Sequence, residues 1–290
     1  MIRHPGRENT VNREDIAQII SEFVEKDPGN LIPDGPRIFQ DPIVGFAAAD
    51  DPIFDDFRNP DIIALHHRTP REWLSTAKTV ISYFLPIGPE IRRSNEDGED
   101  ASTEWIFARF WGEALNDRLR RVLVSRLQRA GYDAVAPLLH PDYRVIDLRS
   151  NWSERHVAFA ANLGAFGLNR GLITRRGMAG RFGSVVTSLP LDAEPIGNKN
   201  PFRSCPQLET KDCGECIERC PVGALSIDGK DIELCRTYLR EVKGPGVRDR
   251  YGFPYSPCGK CYVGVSCEAS TPLTAIANAK DPDSIDFRSE

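Results

Sequence analysis

Cysteine is the residue type whose placement suggests chemistry in this 290-residue chain. All eight cysteines lie between Cys205 and Cys267, and none precedes them. Cys205 stands alone. Next come Cys213-Gly-Glu-Cys216-Ile-Glu-Arg-Cys220-Pro221, then Cys235, then Cys258-Gly-Lys-Cys261, with Cys267 after five intervening residues. Eight thiolates are what two four-cysteine iron–sulfur clusters require, and C-x2-C-x3-C-P is the tail of the bacterial ferredoxin run. In that run the last cysteine of each motif ligates the other cluster. The same crossing here gives one set of Cys205, Cys213, Cys216 and Cys267 and a second of Cys220, Cys235, Cys258 and Cys261. Seven residues separate Cys205 from Cys213 where the ferredoxin run has two, and Glu268 rather than proline follows Cys267. Two zinc sites or four disulfides would use the same thiols. A zinc ribbon needs only two C-x2-C knuckles, which leaves Cys205, Cys220, Cys235 and Cys267 without a reason for their positions.

The composition bounds the setting of these thiols. Apolar content of 40% supports a core and charged content of 27% is ordinary. The first residues hold no apolar stretch, so no signal peptide is expected. The longest weakly polar run, Val157 to Leu168, has 12 residues and is too short to span a bilayer. The expected location is therefore the cytoplasm, with no membrane partner. There, clustered cysteines bind metal more often than they form disulfides. Net charge is -5 with the signs interspersed, apart from a mild basic bias from Arg170 to Arg181. That argues against broad nucleic-acid binding, which rests on a basic face.

The elements that must position the thiols are read from periodicity. Arg13 to Lys26 carries Ile16, Ile19, Ile20 and Phe23 at helical spacing behind Asn12 as N-cap. Ile43 to Asp50 reads as a buried strand or turn, and Asp50, Asp51, Asp55 and Asp56 as a solvated loop. Pro70 to Ala77 reads as a short helix, Thr79 to Ile87 as a buried strand and Arg92 to Thr103 as an exposed loop. Glu104 to Ala130 is the clearest helix, ending at Gly131, with Phe107, Phe110 and Trp111 as a core stripe. Asp133 to Leu139 and Tyr143 to Asp147 are possible strands. A second helix runs from Glu154 to Leu163, and Leu172 to Thr174 and Gly183 to Leu189 are strands. Asp192 to Pro201 reads as a linker, and Thr271 to Glu290 as a short helix at most, then a polar tail.

Cys213 to Ala224, followed by Cys235-Arg-Thr-Tyr-Leu and Cys258-Gly-Lys-Cys261, resembles the double-cluster module of the epoxyqueuosine reductase family. Upstream, Ala77 to Pro86 resembles that family's strand before its cofactor site. Glu154 to Asn169 resembles its helix-plus-glycine segment, and Arg181 to Leu191 continues the likeness. The resemblance covers about residues 60–270, and reductive dehalogenases share the architecture. It implies an α+β fold: a nitroreductase-like α/β cobalamin-binding domain over residues 1–195, a two-cluster ferredoxin-like domain over 196–275, and a polar tail over 276–290. It also implies two 4Fe-4S clusters and cobalamin as cofactors. Glu154, His156, Gly164, Gly167, Asn169, Arg181 and Gly183 would then lie at the corrinoid, since small residues let backbone approach a flat macrocycle. The family's Asp-Ser/Thr-Ala-Pro run is absent; Asp147, one residue out of register, is the candidate proton donor, and His66 and His67 are candidate polar groups near a pocket.

The resulting expectation is a cobalamin-dependent oxidoreductase fed by a low-potential donor such as ferredoxin or flavodoxin, acting on a small molecule or a corrinoid. The family's C-terminal helical extension has no counterpart and the charge is acidic, so tRNA is not expected as substrate. An electron-transfer protein that reactivates a partner's corrinoid, or a corrinoid-binding or trafficking protein, is the alternative.

Overall fold

In the computed structural model, which describes residues 11–193 and 195–273, the N-terminal helix spans Arg13–Lys26. The Asn12 side chain accepts from the Asp15 amide at 2.8 Å, and the Asp15 carboxylate accepts from the Asn12 amide at 2.9 Å. That reciprocal cap satisfies two amides that would otherwise lack partners. The strands are β1 (Ile43–Ala48), β2 (Thr79–Pro86), β3 (Ala134–Val135), β4 (Val145–Ile146), β5 (Arg149–Ser150), β6 (Gly164–Phe166), β7 (Leu172–Thr174), β8 (Gly180–Thr187), β9 (Leu225–Ser226) and β10 (Gly229–Lys230).

β1, β2, β8 and β3 form one sheet in that order, every pair antiparallel. β2 sits inside it with all eight residues buried. Ile81, Tyr83 and Leu85 point into one core with Val185, while Val80 and Phe84 point into another with Val186. A strand covered on both faces reads as a continuous apolar run rather than an alternating one. The first core is closed by the N-terminal helix and by the long helix Thr103–Arg129, through Leu115, Leu119 and Leu123. The second is closed by the helix Glu154–Ala160 together with Phe54, Phe57 and Trp152. Mixed helix and sheet is thus the architecture.

Several expectations shift. The segment expected as an exposed loop from Arg92 begins inside a helix, Pro89–Ser94, which buries Ile91. Asn95 is fully buried behind it. One apolar anchor in six residues leaves no period to read. Pro70 to Ala77 is helical only over Pro70–Trp73, and the second helix ends at Ala160. Asp133 to Leu139 yields a strand of two residues before Pro137 starts a 3-10 turn. Short helices and the β9–β10 hairpin carry the cysteine region. Residues 274–290, including most of the expected tail, and residues 1–10 lie outside those described.

The cysteine region is tied to the first part by its backbone. Asn95 Nδ2 donates to Cys258 O at 2.8 Å, and Lys260 Nζ donates to Asn95 O and Asp97 O at 2.9 and 2.7 Å. Of the stripe expected as core, Phe107 and Trp111 pack half-buried against the first core and stack on each other, while Phe107 and Phe110 also meet the cysteine region. Phe110 stacks on Phe253 with ring centroids 4.1 Å apart, and Phe107 meets Tyr251 edge-on.

Candidate functional site

The eight thiols surround two cavities, four each. Cys205, Cys213, Cys216 and Cys267 line a small one together with Gly167, Asn169 and Gln207. Cys205 precedes the helix Pro206–Glu209, and Cys216 lies on the helix Glu215–Glu218. Burial pushes the Cys216 thiol up to about 11, with Cys205 and Cys213 adding to it. Burial likewise raises Cys267 far above the ordinary thiol range.

Cys220, Cys235, Cys258 and Cys261 line part of a larger cavity of about 470 Å³. Burial pushes Cys261 up to about 12, against the opposing charge of Lys230. The turn carrying Cys258 and Cys261 depends on Gly259. Its φ of +78 lies in the left-handed region, and a Cβ there would come within 2.4 Å of the Trp105 indole. Among the described residues, no three His, Cys, Asp or Glu side chains converge on a single-ion site.

The wall facing the second thiol set is a buried ionic network from the long helix and β8. Arg120, 1% exposed, donates from Nη1 to Glu113 at 3.0 Å and to Asp117 at 2.7 Å. Its Nη2 donates to Glu154 at 3.3 Å and to the Phe182 carbonyl at 3.1 Å. Arg181 Nε donates to Glu113 at 3.0 Å, and Arg109 lies 3.6 Å from the same carboxylate. Burial opposes ionisation of Glu113, but Arg181 and Arg120 outweigh it and hold the carboxyl at about 2. Burial raises Glu154 despite Arg120. Arg120 Nε and Glu154 Oε2 have no hydrogen-bond partner.

The candidate residues separate on this geometry. Glu154 and Arg181 line the large cavity, while Gly167 and Asn169 line the small one. Asn169 Nδ2 donates to Cys261 O at 2.7 Å, so it braces the second thiol turn from behind. Gly164 does not line the large cavity: a Cβ there would lie 2.3 Å from Ile173 O, so it serves the β6–β7 pairing. Gly183 makes room for the Tyr83 ring across β2, whose hydroxyl would be 2.3 Å from such a Cβ. His156 bonds to Ser153 Oγ at 2.8 Å and packs between Phe57 and Phe166. Burial lowers its basicity well below the ordinary range.

Asp147 is displaced furthest from its expected role. It is the first residue of the two-residue turn joining β4 to β5, with φ +47 at Asp147 and +64 at Leu148. Two positive φ values in a two-residue hairpin loop make a type I′ turn, which aspartate tolerates. The residue is exposed and does not line the cavity. His66 bonds to the Arg149 carbonyl at 3.0 Å, and His67 accepts from the Ser153 amide at 3.2 Å while stacking on Trp152. Both are structural in this arrangement. Sequence reading missed Arg109, Glu113, Arg120 and Lys230. A signal existed for two of them: Glu113 and Arg120, with Asn116 and Asp117, interrupt the apolar face of the long helix at i, i+3, i+4 and i+7.

No family model matches the chain, and no curated protein matches it. Solved structures do. An epoxyqueuosine reductase from Streptococcus thermophilus aligns with a TM-score of 0.49 and 17% identity, over 91% of this chain and 69% of that one. An epoxyqueuosine reductase with a tRNA stem loop aligns at 0.45 and 18%, over 87% and 66%. A catabolic reductive dehalogenase aligns at 0.47 and 15%, over 68% of this chain and 27% of that one. The structural neighbours are thus the two kinds of oxidoreductase that the sequence resembles, at low identity.

Proposed function

We propose that this chain is an iron–sulfur, corrinoid-dependent reductase, with two 4Fe-4S clusters in a ferredoxin-like part over residues 196–275 and a nitroreductase-like part over 1–195. The observation that carries the reading is the sorting of eight cysteines into two sets of four, each around its own cavity, one of which adjoins the large cavity. The donor sets fit cubane clusters. A zinc ion draws its ligand sulfurs to about 2.3 Å from one point, whereas a cubane takes one thiolate per iron and needs the sulfurs spread around a space. Cys205, Cys213, Cys216 and Cys267 would hold the first cluster, and Cys220, Cys235, Cys258 and Cys261 the second.

The large cavity fits a polar cofactor at the second cluster. Arg109, Glu113, Arg120, Glu154, Arg181 and Lys230 line it, so its wall offers charged donors and acceptors to the peripheral amides of a corrinoid. When bound, the clusters supply single electrons and the corrinoid a low-valent cobalt nucleophile. The chain's own residues do the rest. The network around Arg120 fixes one wall, while Trp105, Met178 and Tyr262 line the cavity near the thiols and exclude water. Tyr143, also lining, keeps its phenolic proton because burial raises it, and it is better placed than Asp147 to deliver a proton. The electron donor is a low-potential ferredoxin or flavodoxin and the substrate a small molecule.

Anaerobically purified protein should hold about eight iron and eight sulfide per chain and should bind cobalamin with a change in its absorbance spectrum. Zinc in place of iron would overturn the cluster reading. Iron without cobalamin binding would leave an electron-transfer protein. Turnover of a tRNA stem loop would replace the small-molecule substrate.

A further inference from the structure

Among the described residues, Lys230 has no carboxylate as an ion-pair partner. It ends β10, pairs with Leu225 across the β9–β10 hairpin, and is half-buried on the wall of the large cavity. It shares that wall with Cys235, Cys261 and Tyr262; burial opposes its charge, while Cys261, Tyr262 and Cys235 favour it. The other cations of the cavity wall differ. Arg109, Arg120 and Arg181 are matched by Glu113, Asp117 and Glu154. Arg155 is exposed to water and donates to the Arg170 carbonyl. A partly desolvated ammonium is costly unless a negative charge or hydrogen bonds answer it. Neutral thiols do not answer it, but thiolates on a cluster do.

We infer that Lys230, on the wall of the cavity that Cys220, Cys235, Cys258 and Cys261 line, is the counter-ion of the second cluster, and that it tunes the reduction potential of that cluster. This rests on the two-cluster reading. A fixed positive charge beside the cluster stabilises the reduced, more negative state over the oxidised one, so it raises the potential. Net charge around the sulfurs is among the factors that tune such potentials. Cys205, Cys213, Cys216 and Cys267 line the other cavity, which Lys230 does not border. Its charge therefore acts unequally on the two clusters and favours electron flow toward the one at the large cavity.

The test is an anaerobic redox titration of the full chain, followed by electron paramagnetic resonance, in wild type, Lys230→Met and Lys230→Arg. Iron content is measured in each. The expected result is a shift of at least tenfold toward the oxidised form at the second cluster of Lys230→Met, about 59 mV for a one-electron couple. Lys230→Arg should stay within threefold of wild type, and the first cluster should move less. If Lys230→Met loses iron, Lys230→Gln carries the same comparison with a polar, uncharged side chain. An unmoved second potential, equal shifts at both clusters, or a shift in Lys230→Arg as large as in Lys230→Met overturns the assignment. A lower melting temperature with unchanged potentials makes Lys230 merely structural. Wild-type protein that binds no iron overturns the cluster reading itself, so the two failures are told apart by the iron analysis.

Discussion

Replacing Arg120 by methionine keeps the length of the side chain and removes one charge from a place water does not reach. Arg120 is 1% exposed and makes four hydrogen bonds, to Glu113, Asp117, Glu154 and the Phe182 carbonyl. Asp117 is one-third exposed and can turn to solvent, and Glu113 keeps Arg181. Glu154, 13% exposed at its side chain, loses its only ion-pair partner among the described residues. Removing one member of a buried ion pair costs about 3–5 kcal/mol, because the remaining charge is left uncompensated. At about 2–4 °C per kcal/mol for a chain of this size, the apparent melting temperature should fall by on the order of 10 °C. The assay is anaerobic thermal unfolding followed by circular dichroism. A second substitution, Glu154→Gln, removes the stranded charge and should restore a substantial part of the loss. A fall below about 1 kcal/mol in Arg120→Met, the usual range of an exposed pair, refutes the reasoning. So does a double variant that is less stable than the single one.

Three further outcomes follow from the geometry. Gly259→Ala forces a Cβ into the Trp105 indole at positive φ; it should lower iron content by about half, leaving the first cluster's resonance signal intact. Cys205→Ala and Cys235→Ala should each cost one cluster and a different one, read by iron analysis and electron paramagnetic resonance; loss of both from either variant contradicts the assignment. Burial, with His66 adding to it, lowers His67 from 6.5 to about 4. A lowered basic group makes the unfolded chain take up more protons between those values, so stability falls as pH drops from 6.5 towards about 4; denaturant titrations of wild type and His67→Gln should diverge in that window and run parallel above it.

The parts legible in the sequence are those governed by local pattern. Asn12 and Asp15 announce the first helix because a cap is a four-residue device. β2 is legible because a strand buried on both sides is apolar on both faces, broken here only by the small Thr79 and Ser82 and the Tyr83 hydroxyl. The thiol sets are legible because the cysteines fall at short, motif-like spacings along the chain. The rest depends on contacts between distant segments. Gly164 and Gly183 have the composition of a cofactor cradle, but Ile173 and Tyr83 occupy the space that the missing side chains leave. Asp147 has the right residue type near the right place, but a two-residue turn directs it to solvent. Lys230 is one lysine in a short hairpin until the fold brings it to the cavity that Cys235 and Cys261 also line. The polar stripe on the long helix was visible, but its meaning required Arg181 from a strand some sixty residues later.

The aromatic seam between Phe110 and Phe253 has a consequence for synthesis. The long helix and its ionic wall leave the ribosome well before the thiols that complete the cavity. At 5–20 residues per second, the interval between Glu113 and Cys258 is on the order of ten seconds. Through that interval Phe107 lacks the Tyr251 ring and Phe110 the Phe253 ring, and the Arg120 network still faces water. The nascent chain is then a half-closed shell whose sticky rim is the future seam. Chaperones that hold apolar rims would meet it at that moment. Docking of the seam becomes a late event in the life of the protein.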